Sequence, residues 1–235
     1  MFLSNRIVAN SYAGLSAFRA PQKKSSVVYN AIDPDRVRII HRRSNVHESI
    51  TTVIMTARIS PLKDFYSYFE AARRLSSREP GSWKFIAIGA GVEGDHEHLM
   101  MLANELSDAG VVDLPRVGLE VIPYLKQANI GVLLSSSSFQ EGISNSIMEY
   151  MVCGLPVICS DSGGNRELVI DGETGFVIPS ENVDSFVEKL IFMKNNPNVS
   201  RKMGRAGQER VISLFSLERM IRDYEFLYTD LLGKR

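Results

Sequence analysis

The chain has 235 residues, of which 44% are hydrophobic and 23% charged, and its formal net charge is zero. This composition is that of a globular protein and excludes intrinsic disorder, a collagen-like repeat and a small disulfide scaffold. The zero net charge gives no electrostatic reason to expect a nucleic-acid partner. Cys153 and Cys159 lie in apolar surroundings at a spacing that fits no zinc motif, and no apolar run reaches membrane-span length. We therefore expect a cytoplasmic protein. The basic residues 19–43 leave contact with anionic lipid at the inner face of the membrane, or with phosphate, as an alternative, but a merely solvated surface is favoured for them.

Two short strands are predicted near the amino terminus, at residues 6–10 and 27–29. From about residue 50, short apolar runs alternate with amphipathic segments. The predicted strands cover residues 52–55, 85–88, 130–134, 156–159 and 176–178, and the predicted helices cover about 64–76, 93–109 and 142–152. Continuous apolar runs are typical of parallel strands that are covered on both faces. The expected fold class is therefore α/β, a Rossmann-like doubly wound parallel sheet, which binds ligands beyond the carboxyl ends of its strands.

The strongest motif is Phe-Gln-Glu-Gly-Ile-Ser-Asn-Ser-Ile-Met-Glu at residues 139–149, which follows a predicted strand and a serine-rich loop. Glu141, Asn145 and Glu149 recur at helical spacing, which predicts one polar ridge. A separate apolar face is predicted for Ile143, Ile147 and Met151. Gly142 allows a ligand to approach the backbone, and the free N–H groups of a helix start bind anions. Two carboxylates suit a polyhydroxylated ligand, although acidic residues at a helix start also occur simply as dipole complements.

Two cations, Arg58 and Lys63, follow the predicted strand at 52–55. Their position places them at the same edge of the sheet as the acidic motif. The planar guanidinium of arginine grips phosphate through two donors, and lysine adds a point charge. Surface cations without a ligand are common in proteins, but the place after a parallel strand favours phosphate binding here.

A glycine pattern at residues 89–94 matches the dinucleotide-binding fingerprint, and Asp113 lies near the expected position of a ribose-binding acid. Glu93 and Asp95 occupy the helix start, where they would repel a pyrophosphate. A plain glycine turn is therefore favoured, and a nicotinamide-dependent oxidoreductase stays as an alternative.

Three other polar motifs are weaker. The Asp-Pro-Asp segment at 33–35 is interpreted as a turn, and the two histidines of residues 96–98 point to different faces of a helix, so no metal site is predicted. Residues 161–165 open another helix at the ligand edge and are expected to line the same cleft.

Together these motifs resemble the carboxyl-terminal half of glycosyltransferase family 4, whose members are retaining, nucleotide-sugar-dependent enzymes of the GT-B fold. The resemblance runs from about residue 28 to residue 232, and its most specific part is Glu141, seven intervening residues and Glu149. Supporting blocks in family order are residues 58–63, 89–91, 154–157, 163–167 and 171–175. The chain has alanine at 31 and 57, where the family pattern has glycine.

The resemblance implies a role for each matched residue. Arg58 and Lys63 would hold the donor diphosphate and stabilise it as the leaving group, while Glu141 would bind hydroxyls of the donor sugar, so these three would be catalytic. The other substrate-binding residues that it implies are Val117 and Gly118 for the base, Gly142, Ile143, Ser144 and Asn145 for the sugar and phosphate, and Glu149 for the ribose. No cofactor and no obligatory metal are implied, because the nucleotide-diphosphate sugar is itself the substrate.

The resemblance also implies a division of the chain. Residues 1–48 are expected to be a remnant of the acceptor domain and an interdomain linker, 49–215 the donor-binding domain, and 216–235 a carboxyl-terminal crossing helix. This last helix is amphipathic, with an apolar stripe of Leu217, Met220, Ile221, Tyr224, Leu227, Tyr228 and Leu231. Because the acceptor domain is expected to be missing, part of the stripe would lack a partner, and we expect self-association or binding to a partner chain.

The implied function is hexosyl transfer from a nucleotide-diphosphate sugar to a glycan or lipid-linked acceptor in polysaccharide or glycan biosynthesis. Three alternatives stay open: a donor-binding module that is inactive without a separate acceptor domain, the oxidoreductase named above, and a nucleotide-sugar epimerase of similar fold. The base, the sugar and the acceptor are not identified by the sequence.

Overall fold

A computed structural model describes residues 5–32, 49–89, 97–115 and 121–233. The amino-terminal part holds two short parallel strands, β1 (Ile7–Ala9) and β2 (Ser25–Val27), joined through helix α1 (Tyr12–Ala17). The second strand lies two residues earlier than predicted. Ser25 and Ser26 pair with Ile7 and Val8, so polar residues occupy strand positions that an apolar run does not reveal.

The central sheet of the described residues has six parallel strands. They are β3 (Thr51–Thr56), β4 (Trp83–Ile88), β5 (Val112–Asp113), β6 (Ile130–Leu133), β7 (Val157–Ser160) and β8 (Gly175–Ile178). Their spatial order is β5-β4-β3-β6-β7-β8. Counted from the first strand of this sheet, that order is 3-2-1-4-5-6, the order of Rossmann-type doubly wound sheets. The predicted fold class is confirmed.

Helices cover both faces of this sheet. Those that follow α1 are α2 (Phe65–Arg78), α3 (Glu97–Asp108), α4 (Ile122–Leu125), α5 (Asn145–Val152), α6 (Asn165–Leu168), α7 (Val183–Asn195), α8 (Pro197–Leu214) and α9 (Leu217–Leu232). Three were predicted from their apolar periodicity (α2, α5 and α9), and α3 agrees with prediction over its described residues. Helices α1, α4, α7 and α8 were not predicted. None of the helices within the described residues is both long and apolar enough to cross a membrane.

Strands β3, β4, β6 and β7 are buried along nearly their whole length, as the unbroken apolar runs predicted. Gly131 in the middle of β6 has a packing reason: a Cβ atom there would lie 2.5 Å from Cγ of Tyr150, whose ring covers the strand. Tyr150 is itself fully buried on α5. The helix therefore lies close against β6, and its first turn is held next to the carboxyl end of the sheet.

The topological switch point lies between β3 and β6, the two central strands. Their ladder pairs Val53 with Ile130 and Met55 with Val132. Chain connections from these neighbouring strands run in opposite directions, to β4 on one side and to β7 on the other. Their carboxyl-terminal loops therefore diverge and leave a crevice, which is where doubly wound sheets bind ligands.

Helix α9 packs against the amino-terminal segment. Arg219 donates to the backbone oxygen of Tyr29 at 2.9 Å, Arg6 pairs with Asp230, and Ile32 forms a bridge with Ser216. Within the apolar stripe, Leu227 is buried. The large apolar residues exposed on α9 are Ile221, Tyr224, Phe226, Tyr228 and Leu232. The helix is as predicted, and much of its apolar surface faces outward.

Candidate donor-binding site

Two of the predicted site residues, Lys63 and Glu141, come together at the switch point. Lys63 ends a short 3-10 turn, Pro61–Lys63, after β3, while Glu141 lies in the loop after β6. Nζ of Lys63 lies 2.5 Å from Oε1 of Glu141 and 4.6 Å from the centre of the Phe139 ring. The two loops are also joined by the backbone, since Ser136 N donates to Leu62 O at 3.0 Å. Cation and carboxylate thus meet across the crevice.

Glu141 is only 7% exposed and is held at both its backbone and its side chain. Ser135 Oγ donates to the same Oε1 at 2.5 Å. Gly164 N donates to the backbone oxygen of Glu141 at 2.8 Å, and Glu141 N donates to Ser162 Oγ at 3.4 Å. These contacts fix the carboxylate at the ligand edge of the sheet.

The loop after β7 reaches Glu141 because it contains two glycines. Gly163 has φ of +50°, in the region that L-residues avoid, and a Cβ atom there would lie 2.1 Å from the backbone oxygen of Glu141. A Cβ atom on Gly164 would lie 2.7 Å from Gly142 O. Gly163 and Gly164 therefore pack against the loop that carries Glu141, beside the cleft that residues 161–165 are expected to line.

Arg58 lies on the β3 side of the crevice. Its side chain is exposed, and it makes no ion pair or hydrogen bond with the described part of the chain. Lys63, in contrast, is already paired with Glu141. Of the two predicted phosphate-binding cations, Arg58 is thus the one without a carboxylate partner among the described residues.

Helix α5 begins at Asn145, three residues later than predicted, because Ser144 is its N-cap and accepts from Ile147 N at 3.4 Å. The predicted polar ridge is therefore wrong in part: Glu141 precedes the helix, and helical spacing relates only Asn145 and Glu149. The predicted burial of Ile143, Ile147 and Met151 is confirmed, although Ile143 also precedes the helix, so that only Ile147 and Met151 share its apolar face.

The amino-terminal segment also touches this loop, which the sequence did not predict. Asn30 Nδ2 lies 3.4 Å from Ile143 O and 3.4 Å from Asn145 Oδ1. A Cβ atom on Gly142 would lie 2.8 Å from the Asn10 amide, so the glycine faces a side chain of the protein itself. Asn10 directly precedes the residue that caps α1, and no local pattern in the sequence links it to residue 142.

Helix α5 is attached to the end of β3 through Thr56. Thr56 N donates to the Tyr150 hydroxyl at 2.6 Å, the two hydroxyls lie 2.8 Å apart, and Ser146 Oγ donates to Thr56 O at 2.7 Å. All polar groups of Thr56 are thus bonded to α5. This attachment fixes the distance between the loop of Arg58 and the helix that carries Asn145 and Glu149.

Several residues that the sequence analysis singled out are not among the described residues of this site. Val117, Gly118 and residues 33–35 lie outside the described residues, as do residues 90–96, which hold most of the dinucleotide fingerprint and His96. Gly89 is explained by close approach, because a Cβ atom there would lie 1.9 Å from Ala57 O. Asp113 faces Lys84 at 3.5 Å. In the described ranges, no group of three or more His, Cys, Asp or Glu side chains is placed to hold a metal ion.

Known proteins resemble this chain over most of its length. It is 26% identical over 201 residues to trehalose synthase of Pyrococcus horikoshii, which covers 83% of this chain and 47% of the relative. It is 27% identical over 225 residues to D-inositol 3-phosphate glycosyltransferase of Kribbella flavida, covering 88% and 52% of the two chains. The chain thus spans about half the length of the curated relatives it matches.

Among solved structures, the crystal structure of Anabaena Alr3699/HepE in complex with UDP and glucose superposes with a TM-score of 0.78 at 19% identity, covering 97% of this chain and 63% of that one. At that identity the likeness shows the fold. A family model, described as glycosyl transferases group 1, matches residues 37–210, which is most of the chain. Lys63 and Glu141, the cation and carboxylate that meet in the site, both lie within the matched range. The chain belongs to the group 1 glycosyl transferases.

Proposed function

We propose that this chain binds the nucleotide-diphosphate sugar of a retaining glycosyltransferase that acts in polysaccharide or glycan biosynthesis. The observation that carries the proposal is the meeting of Lys63 and Glu141, 2.5 Å apart, at the switch point of a 3-2-1-4-5-6 sheet. Membership of the group 1 family supports it, as does the fold shared with the Anabaena Alr3699/HepE complex with UDP and glucose.

The chemistry follows from the charges at the two loops. When the bond between the anomeric carbon and the diphosphate breaks, negative charge develops on the leaving phosphate. Arg58 and Lys63 would stabilise that charge once both contact the phosphate. Glu141 would accept a hydrogen bond from a sugar hydroxyl. Asn145, in the first turn of α5, would be a further contact for the donor.

The remaining assignments are extensions of this proposal. Gly142, Ile143 and Ser144 would line the sugar and phosphate, Glu149 the ribose, and Val117 and Gly118 the base. The site would need neither a cofactor nor an obligatory metal, because two cations already face the diphosphate.

Transfer would require an acceptor-binding part in addition to the described residues, since the chain spans about half of its curated relatives. A glycan or lipid-linked acceptor fits the proposal, as does a location at the inner face of the membrane. The outward apolar surface of α9 supports self-association or a partner chain. Light scattering over a range of protein concentrations tests this: a strictly monomeric profile contradicts self-association.

The donor site is tested by calorimetric titration with uridine diphosphate, guanosine diphosphate and nicotinamide dinucleotide. We expect one nucleoside diphosphate to bind, and Arg58→Ala to weaken it about tenfold or more, as expected when a charge-assisted hydrogen bond is lost. Arg205→Ala is the matched control, because Arg205 is an exposed arginine on α8. Equal effects of the two substitutions contradict the assignment of Arg58, and binding of the dinucleotide alone contradicts the transferase proposal and favours the oxidoreductase.

A further inference from the structure

Ser135 is a buried hydroxyl that none of the site assignments uses. It follows β6 closely in the chain and is 0% exposed. Its N–H donates to Ser160 Oγ at 2.9 Å, at the end of β7, and its own Oγ donates to Glu141 Oε1 at 2.5 Å. The hydroxyl is thus anchored by the sheet on one side and aimed at the carboxylate on the other.

The contacts of Glu141 divide its two carboxylate oxygens. Oε1 accepts from both Ser135 Oγ and Lys63 Nζ, each at 2.5 Å. Oε2 accepts no hydrogen bond from the described residues. One oxygen is therefore held by the protein, and the other keeps its capacity to accept a hydrogen bond from a ligand hydroxyl.

The two donors to Oε1 differ in how they respond to a ligand. Lys63 is a flexible cation at the crevice, and a diphosphate competes with Glu141 for it. Ser135 is buried, bears no charge and is hydrogen-bonded to β7 through its N–H. A bound diphosphate therefore does not attract it away from Oε1. After Lys63 turns to the phosphate, Ser135 is the contact that keeps the carboxylate in place.

We propose that Ser135 is a positioning residue that holds Glu141 Oε1 so that Oε2 is presented to a hydroxyl of the donor sugar. This rests on the proposed function, because it assigns the sugar to Glu141. The proposal assigns the two parts of the donor to different residues. Ser135 contributes to recognition of the hexose through Glu141, while the diphosphate and nucleoside are bound by other residues.

The test compares affinities for a nucleoside diphosphate and for its hexose conjugate, using uridine diphosphate with its glucose conjugate and guanosine diphosphate with its mannose conjugate. In Ser135→Ala we expect affinity for the conjugate to fall about tenfold, with affinity for the free diphosphate changed less than about twofold. Ser135→Thr keeps the hydroxyl and should recover most of the loss. Ser136→Ala is the matched control, because that hydroxyl contacts Ser138 Oγ at 2.9 Å instead of Glu141.

A general disturbance of the loop would lower both affinities together, and that result overturns the proposal, as does a Ser135→Ala protein that behaves like Ser136→Ala. A second readout uses crystals grown with the nucleoside diphosphate, in which Lys63 is expected to contact the phosphate instead of Glu141. In such crystals of Ser135→Ala, we expect the Glu141 carboxylate to rotate away from its wild-type position, and an unchanged position overturns the proposal. Failure of the proposed function is a separate result, seen as the absence of nucleoside diphosphate binding by the wild-type chain.

Discussion

Replacing Tyr150 with phenylalanine tests the attachment of α5 to β3. The substitution keeps the ring that covers Gly131 and removes only the hydroxyl, which contacts Thr56 N at 2.6 Å and Thr56 Oγ1 at 2.8 Å. Burial raises the pKa of Tyr150 to about 12, so the hydroxyl is neutral and keeps its proton at ordinary pH. The change therefore removes a neutral hydrogen-bonding group and no charge.

The magnitude follows from the burial of Thr56, which is 6% exposed. Its N–H would be left without a partner, at a cost of about 1–3 kcal/mol, and its hydroxyl would lose a bond with a net contribution of about 0.5–1.5 kcal/mol. We expect the free energy of unfolding to fall by about 2–4 kcal/mol. That is a large part of a total stability of about 5–15 kcal/mol for a globular protein.

The assay is urea unfolding followed by circular dichroism, with the slope of the transition checked for constancy. Tyr66→Phe is the control, because Tyr66 is an exposed tyrosine on α2. Donor affinity should fall as well, since the attachment sets the distance between Arg58 and α5. A loss of stability no larger than that of the control would refute the reasoning that these two hydrogen bonds hold the helix.

Two further substitutions test the loops at the switch point. Gly163→Ala should destabilise the chain by more than Gly172→Ala. Both glycines have positive φ, which costs an alanine about 1–2 kcal/mol. Only at Gly163 would the new Cβ atom also clash with a backbone oxygen, that of Glu141. Equal losses in thermal unfolding would contradict the close contact. Burial raises the pKa of Asp64, so its ionisation opposes folding, and Asp64→Asn should raise stability at pH 7 while still capping α2 and occupying the left-handed conformation. The gain should shrink as pH falls toward the ordinary value of 3.8, and a gain independent of pH would contradict a buried charge.

The fold could be predicted because its strands are apolar on both faces. Residues 52–55 and 85–88 are continuous apolar runs, which lack the polar face of an amphipathic helix. Their alternation with amphipathic segments indicates strand-helix-strand connections. The short strands β2 and β5 carry no comparable signal. Ser25 and Ser26 of β2 are polar, and their strand conformation depends on pairing with β1, which local sequence does not contain.

The candidate site could be predicted in part, because Arg58, Lys63 and Glu141 each follow a recognisable strand. Their position at the same edge was therefore expected. What the sequence could not give was the pairing of Lys63 with Glu141, or the approach of Asn10 to Gly142. Such contacts join residues far apart in the chain, and they depend on how loops turn after the strands end.

The register between β3 and β6 sets the distance between the two loops that carry the proposed donor-binding residues. The cations are carried by the loop that leaves one strand, and Glu141 by the loop that leaves the other, so the pairing of Val53 with Ile130 sets their separation. A strand advances about 3.3 Å per residue, and a shift of two residues would keep every side chain on its face while moving the loops apart by about 7 Å. The spacing of the proposed site therefore depends on strand pairing deep within the core, at positions that carry none of the proposed binding residues.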